Sequence, residues 1–101
     1  MRIATIIGKL TLTQCHPSLK GATWVIGVPL NLEGIAKADS GGTAGRGEPF
    51  VIYDDLGAGT GSTIAVSEGA EAAAPFYPDN KPIDAYNAAV LDSLELHPPA
   101  K

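Results

Sequence analysis

The chain has 101 residues, of which 12 are Gly and 8 are Pro. That density of turn-forming positions excludes a long helical bundle or coiled coil and favours short strands. Its formal net charge of −4 and pI near 4.9 make a poor surface for nucleic acid, where Lys and Arg must neutralise phosphates, and for anionic membranes. Leu, Ile, Val and Phe supply 24 residues, enough to exclude a disordered chain, and the single cysteine, Cys15, excludes an internal disulfide.

Residues 2–14 predict a long strand, with Ala4, Ile6, Gly8, Leu10 and Leu12 on the core side by period-two alternation. The opposite set, Ile3, Thr5 and Ile7, is apolar enough to expect cover on both faces of the early half, and Gly8 marks a bend or bulge. A connection at 15–21 leads to a second strand over 22–30, with Trp24, Ile26, Val28 and Leu30 in phase and Pro29 at its end. Residues 31–48 hold five Gly and predict a flexible hairpin or loop, its tip at Ser40, Gly41 and Gly42. A third strand is expected over 48–54 and a fourth over 62–67, the latter with Ile64 and Val66 inward. The Ala-rich 68–74 predicts one short helix stopped by Pro75, and the last strand is placed at 87–96 with Ala88, Val90, Leu94 and Leu96 in phase.

The expected fold is therefore mainly all-β: a small, five-stranded, antiparallel OB-like barrel with a flexible hairpin or loop and one short helix. One domain spans 1–96, and residues 97–101 form a frayed tail. The start, broken at Gly8 and Lys9, is too short for a signal peptide, and no apolar run is long enough to span a membrane.

Candidate chemistry is sparse. The run Gly57, Ala58, Gly59, Thr60, Gly61 fails the dinucleotide fingerprint because Ser62 stands where a third Gly is needed and a strand follows instead of a helix. A turn that needs positive φ and close backbone approach is the better reading. Asp54 and Asp55 are neighbours on a strand, so they point apart and form no acid–base dyad; both are expected to be solvated. Cys15 beside His16 lacks a third group to orient the imidazole, and His16 and His97 lie too far apart in sequence to suggest a metal site. No catalytic residue, metal or cofactor is expected. Trp24, Tyr53, Phe76 and Tyr77 exceed what so small a barrel hides, which points to self-association or to ordinary core.

Taken in order, Gly8, the segment Thr13-Gln14-Cys15-His16-Pro17-Ser18-Leu19-Lys20-Gly21, the segment Val51-Ile52-Tyr53-Asp54-Asp55-Leu56-Gly57-Ala58-Gly59-Thr60-Gly61, and Pro82-Ile83-Asp84-Ala85 with Asp92 resemble the EutN/CcmL family over about residues 1–96. The Asp-x-x-Gly-Ala-Gly-x-Gly stretch is the most specific part. Departures occur at Cys15, Ser62 and Ala73, where the family carries Lys or Arg, Glu and Arg, and at Asn87 and Ala89, where it carries an apolar residue and often Gly. The resemblance implies a non-enzymatic homopentamer that caps the vertices of a microcompartment shell in the bacterial cytoplasm, between hexameric shell proteins.

It also implies that Gly57, Ala58, Gly59, Thr60, Gly61 and Ser62 lie at the fivefold axis around a narrow pore or plug. Replacing Ala58 by Trp is then expected to spare the subunit and disturb the ring. Ile3, Ile7, His16, Tyr53, Asp54 and Asp84 are the residues expected at subunit or shell interfaces. The rival readings are an OB-like binding module for a small ligand or oligonucleotide, which needs a basic groove or exposed aromatics, and a small enzyme, which needs an acid–base constellation.

Overall fold

The computed structural model describes residues 1–12, 14–19, 21–36, 43–78 and 81–94. Five strands, β1 (Arg2–Leu10), β2 (Thr23–Pro29), β3 (Phe50–Asp54), β4 (Thr63–Glu68) and β5 (Ala85–Val90), close into a barrel in the order β1-β2-β3-β5-β4. The expected OB-like barrel is present, with one correction: β3 and β5 are parallel, meeting at the single pair Tyr53 and Tyr86, while the other neighbours are antiparallel. Five strands cannot alternate in direction all the way round a closed ring, so one seam must be parallel.

β1 places Ala4 and Ile6 inside, as its alternation predicts. Its pairing with β2 then slips between Ile6 and Gly8, leaving Ile7 as the bulged residue, so the inward phase ends there and Leu12 is exposed. Among the described residues the strand's second face is only partly covered, with Ile3 half-buried and Ile7 41% exposed. In β2 Val25 and Gly27 are buried together with Val28, the one member of the expected set that is, whereas Trp24, Ile26 and Leu30 are only half-buried. A Cβ on Gly27 would lie 2.6 Å from Ile52 Cδ1, so glycine here is what lets Ile52 reach across the core. β4 buries Ile64 and Val66 as expected. β5 runs earlier than predicted and in the opposite phase, with Ala85 and Asn87 inside and Ala88 and Val90 outside.

A helix that the sequence reading does not include, α1 (Leu32–Ala36), follows β2. Asn31 starts it by accepting the Gly34 amide at 3.0 Å, the usual work of an N-cap side chain. The 31–48 segment is a hairpin at its base, where Leu30 bridges Arg46 and the Gly47 amide donates to the Pro29 carbonyl at 2.8 Å; the predicted tip at 40–42 lies outside the described residues. Gly45 (φ +78°) is required there, since a Cβ would fall 2.1 Å from the Gly34 nitrogen. The short helix expected after β4 is α2 (Ala70–Ala73), and Pro75 does not stop it but sits in the first turn of a 3-10 segment, Ala74–Phe76.

Two apolar clusters result. The barrel core contains Ala4, Ile6, Val25, Ile52, Ile64 and Val66. A second cluster lies outside the barrel wall, where Tyr53, Ala72 and Ile83 pack with Trp24, Phe76 and Tyr86. Tyr53 meets Trp24 edge-on at 5.1 Å and Phe76 at 5.5 Å, and each such pair adds about 0.5–1.5 kcal/mol beyond its area. The aromatic surplus inferred from composition is thus largely absorbed within one subunit, with Tyr77 left 87% exposed.

Candidate functional site

The chain leaves β3 through Asp54, and this residue builds the Gly-rich turn. The expected solvated carboxylate is corrected: Asp54 is 1% exposed. Its Oδ1 accepts the Leu56 amide at 3.1 Å and the Asn87 Nδ2 at 2.8 Å, while Oδ2 accepts the Ala58 amide at 3.0 Å and, more weakly, the Thr23 hydroxyl at 3.4 Å. A buried carboxylate is tolerable only with such a set of donors. Because the carboxylate only accepts, Asn87 must turn its amide nitrogen toward it, and its Oδ1 stays buried without a hydrogen-bond partner. An unsatisfied acceptor costs about 1–3 kcal/mol, which the charge-assisted bond offsets.

Asp55 is exposed and accepts the Tyr86 hydroxyl at 2.8 Å. Burial, then this carboxylate, push the Tyr86 phenol up to about 12, since both disfavour the phenolate. The turn is tied down at its far end as well. The Gly61 amide donates to the Ile6 carbonyl at 2.8 Å, the Ile6 amide donates to the Ser62 carbonyl at 2.9 Å, and the Ser62 hydroxyl accepts the Gly59 amide at 3.3 Å. Gly57 (φ +78°) and Gly61 (φ +92°) use the left-handed region, and Gly59 does not.

Ala58 departs from the reading of an open turn residue. At 4% exposure it belongs to the barrel core cluster, so Trp at this position would overpack the subunit before it could test a ring. Tyr53 and Asp54, at 3% and 1% exposure, are interior to the subunit and offer almost no surface to a neighbour. The other expected interface residues lie elsewhere. Ile3 and Ile7 lie on β1, where the registers place Gly8, Ile26 and the 47% exposed Val51 in one row across β1, β2 and β3. His16 lines a groove of about 570 Å³ with Tyr77, Lys81, Pro82 and the alanines Ala70 and Ala73 of α2, whereas Asp84 is exposed and does not line it.

His16 accepts from the Ser18 amide at 3.1 Å through Nδ1, which also lies 2.8 Å from the Ser18 hydroxyl, so that nitrogen is engaged locally and not by Cys15. Lys81 donates to the Ser18 carbonyl and lies 5.0 Å from the Tyr53 ring centre, pinning the 16–19 connection to the aromatic cluster. Among the described residues no three His, Cys, Asp or Glu side chains gather to hold a metal ion, and no helix is long and apolar enough to cross a membrane.

The family model for the ethanolamine utilisation protein EutN and carboxysome proteins matches residues 1–92. Among solved structures, the GrpN pentameric microcompartment shell protein from Rhodospirillum rubrum is 25% identical with a TM-score of 0.75, covering 96% of this chain and 100% of its own. CcmL from Nostoc sp. PCC 7120 is 26% identical with a TM-score of 0.75, over 95% of this chain and 92% of that one. The ethanolamine utilisation protein EutN from Escherichia coli shares the fold at 20% identity and a TM-score of 0.76, over 95% and 89%. No curated protein sequence matches the chain.

Proposed function

The chain belongs to the EutN/CcmL family, and we propose that it is a structural shell protein whose homopentamers cap the vertices of a bacterial microcompartment, among hexameric shell proteins and within the bacterial cytoplasm. The observation that carries this reading is the whole-chain likeness to a pentameric shell protein, 96% of this chain against 100% of that one at a TM-score of 0.75. The physics is compatible. A head-to-tail contact whose rotation closes gives a ring and uses two unlike patches per subunit. The β1–β3 row and the Tyr77 groove are two such patches. In this reading the role is assembly and not catalysis.

The turn at 57–62 faces the fivefold axis in this proposal. Its support is Gly59: no positive φ requires glycine there, and a Cβ at that position meets nothing within 4 Å among the described residues. Those residues have no use for its smallness, whereas five copies converging on an axis do.

Native mass spectrometry tests the assembly. A species of five 10.3 kDa chains supports it, and a monomer at high concentration overturns it. Gly59→Leu then probes the axis: the expected outcome is an unchanged subunit circular dichroism spectrum with the five-chain species lost. A ring that persists in the Gly59→Leu variant refutes the axial placement.

A further inference from the structure

The barrel is weakest at the seam between β3 and β5, which share only the Tyr53–Tyr86 pair, and this seam opens directly into the 55–62 turn. Side chains complete what the backbone ladder does not. Asp54, inside the barrel, reaches Asn87 at 2.8 Å, and Asp55, outside it, reaches Tyr86 at 2.8 Å. The last residue of β3 and the one that follows it therefore grip two successive residues of β5 from opposite faces.

We infer that this double grip is a positioning device: Asn87 and Tyr86 fix the Asp54 and Asp55 carboxylates so that the 57–62 turn is presented in one geometry for ring closure. The inference rests on the proposed role of that turn. Asp54 transmits the grip, because the same Oδ1 that takes the Asn87 amide takes the Leu56 amide at 3.1 Å, and the paired Oδ2 takes the Ala58 amide at 3.0 Å. The Asn87 side chain makes no second hydrogen bond through its oxygen, since Oδ1 is buried and unpartnered. An apolar side chain at that position would leave no orphaned acceptor, so packing alone does not account for the amide. Tyr86 is itself held rigid, its ring meeting Phe76 edge-on at 5.1 Å and Tyr53 at 6.2 Å, so its hydroxyl is a fixed post for Asp55. The far end of the turn is already anchored to β1 through Ile6, which leaves the β5 grip to decide the position of the near end.

The test uses the full chain with Tyr86→Phe and, separately, Asn87→Leu. Amide hydrogen exchange is followed at Leu56, Ala58 and Gly59, with Val25 and Ile64 as barrel controls, and the five-chain fraction is followed against concentration by native mass spectrometry. In both variants, exchange at 56–59 should rise at least tenfold with the barrel controls unchanged, and the concentration for half-assembly should rise at least tenfold. Unchanged exchange at 56–59 overturns the grip, and a uniform rise across the barrel reduces it to ordinary stability. A loosened turn with an unchanged half-assembly concentration overturns its role in ring closure. If Asn87→Leu fails to fold, Tyr86→Phe, which removes one oxygen from a ring that stays packed, still decides. The wild-type mass separately tests the pentamer, while the exchange arm reads the turn in whatever assembly the chain adopts.

Discussion

Asp54→Asn is the most discriminating change to make in the subunit, because it alters a single atom at the centre of a filled hydrogen-bond set. If the new amide nitrogen takes the Oδ1 site, it opposes the Leu56 amide at 3.1 Å, and only Asn87 can adapt by flipping. If it takes the Oδ2 site, it opposes the Ala58 amide at 3.0 Å, while the Thr23 hydroxyl can relax because it also donates to the Asp54 carbonyl at 3.2 Å. Either way one backbone amide loses its acceptor, at about 1–3 kcal/mol, and the surviving bonds fall from charge-assisted to neutral strength, at about 1 kcal/mol each. The sum is about 3–5 kcal/mol, a large part of the stability of a small domain. For a chain of this size that lowers Tm by about 12–25 °C. Thermal unfolding at matched subunit concentration is the assay, since assembly itself raises Tm by mass action. Asp55→Asn is the control, because its exposed side chain can still accept from Tyr86, and its loss should stay below about 1 kcal/mol. An Asp54→Asn change of less than about 1 kcal/mol would refute the view that this carboxylate builds the turn.

Two further changes test other parts of the fold. Gly45→Ala should destabilise by at least about 2–3 kcal/mol, because positive φ alone costs about 1–2 kcal/mol and the new methyl would sit 2.1 Å from the Gly34 nitrogen; urea unfolding with limited proteolysis of 31–48 measures it. Tyr86 also sets an alkaline limit. Folding favours its neutral phenol, so this contribution is complete below pH 10 and is lost as pH rises toward about 12; Tyr86→Phe should flatten that part of the stability–pH curve.

The strands whose interior faces are purely apolar are legible in the sequence. Ala4 and Ile6 in β1, and Ile64 and Val66 in β4, follow alternation alone. Alternation misleads where the interior position carries no apolar side chain. In β2 the inward Gly27 gives a hydrophobic count nothing to register beside Val25, so Trp24 and Ile26 on the outer face dominate the pattern. In β5 the inward residue is Asn87, whose partner Asp54 lies 33 positions away and is brought near only by the parallel seam. The same long-range pairing makes Asp54 look like a turn carboxylate. Asn31 followed by Leu32 and Glu33 does carry a local signal, a capping residue before an acidic first turn, that marks α1. The Gly-rich turn can be located from its own residues, but its anchoring to β1 and β5 cannot, because both strands are distant in sequence and only barrel closure brings them to it.

The two exposed patches allow the geometry of association to be separated from its existence. Once Trp24, Tyr53 and Phe76 are packed against α2, the apolar surface that remains includes Ile7 beside the Gly8–Ile26–Val51 row on the barrel, and Tyr77 at the groove. A twofold dimer would bury one patch against itself, so a charge placed there abolishes contact whatever else is mixed in. A head-to-tail ring joins the row of one copy to the groove of the next. Val51→Glu and Tyr77→Glu should each stop assembly when alone, because every contact then contains one damaged patch. Mixed in equal amounts, the Val51→Glu chain still offers an intact groove and the Tyr77→Glu chain an intact row. One sound contact is restored per pair, and the remaining free patches are both damaged. The expected product in native mass spectrometry is therefore a species of two chains, one of each kind, and nothing larger. A mixture that stays monomeric, or one that regains five chains, would show that these two patches do not face each other across the subunit boundary.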